Sequence, residues 1–195
     1  MSQYLEIELK NLINQTDFFK LLSLFSMTKD HLIKQTNYYF DTKSFALRAN
    51  HSSLRIREKQ DKYELTLKQA TEDGMLETNE PLTKKEAMNM LKNNPCPVES
   101  INKLLAHAGI AKEDLFCFGS LTTKRAETPY KNGLLALDYN LYLDKEDYEV
   151  EYEVTDRQEG ERVFLHLMNT LNIPIIPAKN KVQRFWEEKY KQQGK

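Results

Sequence analysis

Charged side chains recur at every second residue in several short stretches of this chain. Glu6, Glu8 and Lys10 alternate with Leu5, Ile7 and Leu9, and Arg55, Arg57 and Lys59 alternate with Leu54 and Ile56. Glu64, Thr66 and Lys68 oppose Tyr63, Leu65 and Leu67, while Asp138 and Asn140 oppose Leu135, Leu137, Tyr139 and Leu141. Asp147, Glu149, Glu151 and Glu153 oppose Tyr148, Val150, Tyr152 and Val154. A period of two gathers each charged set on one face of a strand. An open antiparallel sheet with one wet face explains any single stripe. It explains all of them together less well, because four acids at two-residue spacing repel one another unless cations stand opposite. A row of arginine and lysine likewise calls for an anion. Guanidinium groups grip phosphate oxygens bidentately and carboxylates hold hard divalent cations, so the combination suits a polyphosphate accompanied by such cations.

These stripes must be positioned by a sheet. Alternation predicts strands at 2–13, 33–42, 53–59, 62–69, 75–80, 115–127, 133–143 and 147–155. Turns are expected at Gln60-Asp61, at Asn132-Gly133 and from Asp144 to Asp147. Amphipathic helices are expected at 16–26, opened by a cap at its start, at 83–94 behind the capping-box spacing of Thr83 and Glu86, and at 98–108. Two more follow at 157–172, before Pro174, and at 180–192. About eight strands, mostly joined by short turns, with four or five helices, make an antiparallel α+β fold. Eight strands suffice to close a barrel. Closure would turn the charged stripes into an enclosed lumen and leave the apolar faces outside, under the helices.

The 195 residues fit a single domain over 1–195, and 28 basic against 29 acidic residues leave a net charge of -1. No overall positive field favours a nucleic-acid partner. Cys96 and Cys117 are too far apart and too few for a disulfide framework or a cysteine zinc site. His31, His51, His107 and His166 have no metal-type spacing, and Trp186 and the Met88–Leu91 stretch read as helix packing. No apolar run approaches the roughly 20 residues of a bilayer-spanning helix, and the start lacks a secretory leader pattern. A cytoplasmic protein, monomeric or homodimeric, with no membrane partner is expected.

Glu6-Ile7-Glu8-Leu9-Lys10 resembles the Glu-x-Glu-x-Lys signature on the first strand of the CYTH superfamily, the triphosphate tunnel metalloenzymes. That superfamily includes class IV adenylate cyclases, thiamine triphosphatases and inorganic tripolyphosphatases. Further similarities follow in the same order: Tyr39-Phe40-Asp41-Thr42, Leu54-Arg55-Ile56-Arg57, Leu65-Thr66-Leu67-Lys68, Arg125, Asp138, Glu149-Val150-Glu151-Tyr152-Glu153, and Lys181 with Arg184. The resemblance spans roughly residues 4–186 and is nearest to short single-domain bacterial members. Two positions depart from it. Thr123 stands where a second basic residue is common, with the neighbouring Lys124 on the other face, and Asn180 replaces a frequent serine.

The resemblance implies a closed eight-stranded antiparallel tunnel and metal-dependent hydrolysis of a phosphoanhydride in tripolyphosphate or a small organic triphosphate. It implies Arg55, Arg57, Lys68 and Arg125 as triphosphate ligands, completed by Lys181, Arg184 and Lys10. Glu6, Glu8, Asp138, Glu149, Glu151 and Glu153 would hold Mg²⁺ or Mn²⁺, with Glu6, Glu8 and Lys10 at the chemistry. Three late-strand glutamates stand where two are expected, and which pair binds metal is left open. Tyr39 and Asp41 are equally compatible with ligand or structural roles. Formation of cyclic AMP from ATP is the alternative, ranked lower because no adenine-specific residue stands out; a non-hydrolytic nucleotide or polyphosphate sensor is the third.

Overall fold

Strict alternation folds here as strand, and the strands close on themselves. In the computed structural model, which describes residues 2–92 and 95–193, the strands are β1 (Ser2–Ile13), β2 (Ile33–Asp41), β3 (Ser52–Lys59) and β4 (Lys62–Ala70). They continue with β5 (Met75–Leu82), β6 (Phe116–Tyr130), β7 (Gly133–Tyr142) and β8 (Lys145–Val154). They form a closed antiparallel barrel in the order β1-β5-β4-β3-β2-β6-β7-β8. The helices are α1 (Gln15–Leu24), α2 (Ala46–Ala49), α3 (Lys84–Leu91), α4 (Glu99–His107), α5 (Arg157–Thr170) and α6 (Lys181–Gln193). Among the described residues that makes six, where four or five were expected. The addition, α2, is a four-residue turn too short to show a helical period. The last two residues of the helix expected at 83–94 lie outside the described residues. No helix among the described residues is long and apolar enough to cross a membrane.

The chain divides into two compact units: Met1–Leu5 with Gln35–Ser120, here the first half, and Glu6–Lys34 with Leu121–Lys195, the second. In the first, β3 and β4 turn at Gln60 and Asp61, both with positive φ (51° and 59°), as a two-residue hairpin matched to the strand twist requires. Register sets Ser53, Lys68 and Glu77 in one row and Arg55, Thr66 and Asn79 in the next. The opposite face, Leu54, Ile56, Leu65 and Leu67, is buried with Leu47 of α2, Ala87 and Met90 of α3, and Ile101 and Leu105 of α4. Burying each such aliphatic side chain contributes about 1.5–3 kcal/mol. Thr83 and Glu86 cap α3 reciprocally.

In the second half, β6–β7 and β7–β8 are hairpins whose turns sit one or more residues from the expected places. The first is centred on Lys131 and Asn132, with Gly133 already in β7; Lys131 takes the positive φ of 51°. The second is centred on Leu143 and Asp144, with φ 50° at Leu143, so β8 starts at Lys145 instead of residue 147. At Gly133 a Cβ would lie 2.5 Å from the Glu153 carbonyl and 2.6 Å from the Tyr152 ring. Close packing of β7 on β8 fixes the glycine there. Leu135, Leu137, Val150 and Tyr152 pack under Phe18, Leu21 and Leu22 of α1 and Val163, Phe164, Leu167 and Met168 of α5. The cap of α1 is Asn14, not a residue at 16: its side chain accepts from the Asp17 amide at 2.8 Å. Both apolar faces lie beneath helices, and the charged faces are the alternate ones.

Candidate functional site

On the charged face of the first half, Arg55 and Arg57 project from β3 and Lys68 from β4. The Arg57 Nε donates to Asn37 Oδ1 at 3.1 Å. The Lys68 ammonium pairs with Glu77 of β5, which also accepts from the Tyr4 hydroxyl at 2.9 Å. Burial pushes Glu77 up, but Lys68 and Arg55 overcome it and hold the carboxyl down at about 2. Arg55 keeps a buried Nε with no hydrogen-bond acceptor among the described residues. A buried unsatisfied N–H of a permanent cation is a costly arrangement that an anion would relieve. Glu77 and Tyr4 were not singled out from the sequence; the signal was there in Glu77 and Asn79, two apart on β5.

The second half is built differently. Register sets Arg125 of β6 beside Asp138 of β7, and Asp138 beside Glu149 of β8. Arg125 donates from Nε and Nη2 to both oxygens of Asp138, at 2.6 and 2.5 Å, and also pairs with Glu151. Lys181, the first residue of α6, brings its Nζ 2.8 Å from Asp138 and 2.5 Å from Glu151, and pairs with Glu149. Arg184, one turn later, donates to Glu149 at 2.8 Å and to Asp147 at 3.1 and 3.2 Å. Lys10 lies 2.6 Å from Glu8 and donates to Asn180 Oδ1 at 2.7 Å. Carboxylate oxygens of Asp138, Glu149 and Glu151, all buried, lie within 4.8 Å of one another. This set, all hard oxygens with no histidine or cysteine, fits Mg²⁺ or Mn²⁺ better than zinc.

The carboxylates are not equivalent. Burial, outweighing Lys181, lifts Glu149 above the usual range. Glu151 is buried too, yet Lys181, Arg125 and Lys10 hold it well below. Burial and the neighbouring Glu151 raise Glu8 against the pull of Lys10. Burial lowers Lys181, but Asp138, Glu149 and Glu151 more than reverse this and keep it protonated.

Of the residues singled out in the sequence, the second half therefore gathers Glu8, Lys10, Arg125, Asp138, Glu149, Glu151, Lys181 and Arg184. Glu6 lies on the same face of β1 and is felt electrostatically by Glu8. Glu153 is exposed and stands outside the three-carboxylate group. Arg55, Arg57 and Lys68 belong to the first half. Asp41 accepts from the amides of Thr42, Leu47 and Arg48, anchoring α2, and Tyr39 stacks on Phe118 at 6.2 Å. Both make structural contacts.

The two departures have local explanations. Thr123 donates to Asn140 Oδ1 at 2.7 Å and Asn140 donates to Asp147 at 3.0 Å, so Thr123 belongs to a polar chain that ends on the Arg184 guanidinium. Lys124 does point to the other face, over the Tyr139 ring at 5.4 Å. Asn180 holds Lys10 by its side chain and receives the Arg184 amide on its carbonyl at 3.0 Å.

The family model of the CYTH domain matches residues 4–186. The chain is 41% identical over 191 residues to the candidate triphosphatase YjbK of Bacillus subtilis (strain 168), covering 98% of this chain and 99% of that protein. The crystal structure of a candidate adenylate cyclase from Bacillus halodurans superposes with a TM-score of 0.91 at 38% identity, covering 95% of this chain and 99% of that one. HpAC1 from Hippeastrum, a candidate adenylyl cyclase described as having a dominant triphosphatase activity, shares the fold with a TM-score of 0.80 at 22% identity, over 94% and 96% of the two chains.

Proposed function

We propose, from the premise that the chain belongs to the CYTH domain family, that it is a divalent-metal-dependent triphosphatase cleaving a phosphoanhydride bond of inorganic tripolyphosphate or a small organic triphosphate. The observation that carries this is the trio of buried carboxylates within 4.8 Å, flanked by arginine and lysine. The 41% identity to a candidate triphosphatase supports the same activity class.

Phosphoryl transfer asks a protein mainly to position the reactants and to neutralise charge spreading over the transferred group. Asp138, Glu149 and Glu151 would hold Mg²⁺ or Mn²⁺, with Glu6 and Glu8 of β1 completing the acidic set. Such an ion, when bound, supplies Lewis-acid neutralisation of phosphoryl oxygens and acidifies a water. Arg55, Arg57 and Arg125 serve as planar clamps on phosphate oxygens, and Lys68, Lys10, Lys181 and Arg184 serve as further cations. Glu8, lifted by burial and by Glu151, is suited to take the proton from the attacking water. The water oxygen bonds to the terminal phosphorus as the bridging P–O bond breaks. Orthophosphate and a diphosphate leave.

Purified protein is expected to release orthophosphate from tripolyphosphate with Mg²⁺ or Mn²⁺. Glu6→Ala is expected to abolish the release, and EDTA to stop it. Turnover indifferent to EDTA would refute the mechanism. The 38% identity to a candidate adenylate cyclase gives cyclisation a specific footing. The product formed from ATP decides between them: free phosphate supports hydrolysis, cyclic AMP the alternative.

A further inference from the structure

We infer that Lys181 is a tethered competitor for divalent metal: its ammonium fills the cage of Asp138, Glu149 and Glu151, so the first turn of α6 must withdraw for a cation to be taken up there. This rests on the metal-centre assignment proposed above and concerns how that centre is regulated. The Nζ lies against all three carboxylates whose mutual spacing defines the cage, the position that a coordinated ion would take. No other described side chain contacts all three.

Like charge at contact makes coexistence unfavourable. Lys181 pairs with all three carboxylates, Arg125 with Asp138 and Glu151, and Arg184 with Glu149 and with Asp147. A dication added beside the Lys181 ammonium in that buried cage would meet like charge at close range in a medium of low effective dielectric. Arg125 is held on β6 within the barrel. Lys181 and Arg184 are instead carried by the N-terminal turn of α6, which is also tied by the Lys10–Asn180 hydrogen bond and by Phe185, buried with its ring centroid 6.3 Å from that of Tyr142. The two cations share one helical turn that contains no strand of the sheet, so they leave the cage together, with Phe185 withdrawn from Tyr142. Once released from the cage, Lys181 is free to take a phosphate oxygen, which reconciles its present partners with its proposed role toward substrate.

Mn²⁺ titration of the full chain, following free Mn²⁺ by electron paramagnetic resonance, provides the test. Lys181→Met is expected to bind Mn²⁺ about tenfold tighter than the wild type or more, given the Coulomb energy of one charge at contact distance. Affinity unchanged within about twofold, or weakened, would overturn the inference. Hydrogen exchange on the wild type supplies a check independent of any variant. Saturating Mn²⁺ is expected to speed exchange severalfold at the backbone amides of the first α6 turns, and equal or slower exchange there would overturn the inference. Absence of Mn²⁺ binding by both proteins would refute the metal centre itself and this inference with it. Equal affinities alongside intact metal-dependent turnover would refute the inference alone.

Discussion

The two halves of this barrel arrange their charge differently. In the second, Arg125, Lys181 and Arg184 and the buried acids around them satisfy one another, with bidentate and shared contacts between 2.5 and 3.2 Å. In the first, Glu77 draws on both Lys68 and Arg55, and the Arg55 Nε has no acceptor among the described residues. A balanced network belongs to the folded state's own energetics. The unsatisfied Arg55 Nε is where the proposed triphosphate would be gripped. Removing a shared acid of the second half should therefore damage stability together with metal binding, whereas removing Arg55 from the first should damage anion binding at little cost in stability.

The sharpest way to break the contrast is Asp138→Ala. It strips the shared acceptor from Arg125 and Lys181 and leaves buried charge uncompensated, which should cost about 3–5 kcal/mol. That corresponds to a melting temperature lower by about 10 °C, measurable by calorimetry. Arg55→Ala should do the reverse. Its unfolding free energy should stay within about 1 kcal/mol of the wild type, while kcat/KM toward tripolyphosphate falls about 10²-fold. A large stability loss in Arg55→Ala, or none in Asp138→Ala, would erase the distinction.

Acid sharpens the comparison through Glu77. Its folded pKa of about 2 lies below the ordinary 4.5, so its contribution is full above about 4.5 and drains as pH falls toward 2. Urea unfolding should show a loss on the order of 2–3 kcal/mol across that window that is absent in Glu77→Gln. The smallest effect expected is common to both halves. Thr83→Ala and Asn14→Ala each remove a helix cap and should each cost about 1 kcal/mol by the same measurement, because capping is local and indifferent to the charge plan.

Much of the fold is legible in the sequence because a closed sheet obeys a strict two-residue period. Glu149, Glu151, Arg55 and Arg57 could be assigned to a charged face with no knowledge of partners. What escaped lies where local rules are degenerate or where partners are distant. The positive φ of Lys131 and Leu143 shifted two turns away from the residues whose types advertised them. Helix α2 is held by Asp41 reaching six and seven residues ahead and shows no period of its own. The choice among Glu149, Glu151 and Glu153 depends on how far along the strand α6 docks, and no spacing within β8 encodes that. Asn180, a substitution from the family pattern on paper, is in the structure the residue that holds Lys10.

The division of labour between the halves is tested most directly by Mn²⁺ affinity in two variants, Arg55→Ala and Glu149→Gln. Arg55→Ala should bind Mn²⁺ as the wild type does, while Glu149→Gln should lose about tenfold or more, having surrendered one charged ligand of three. Equal losses in both, or a loss confined to Arg55→Ala, would contradict the account.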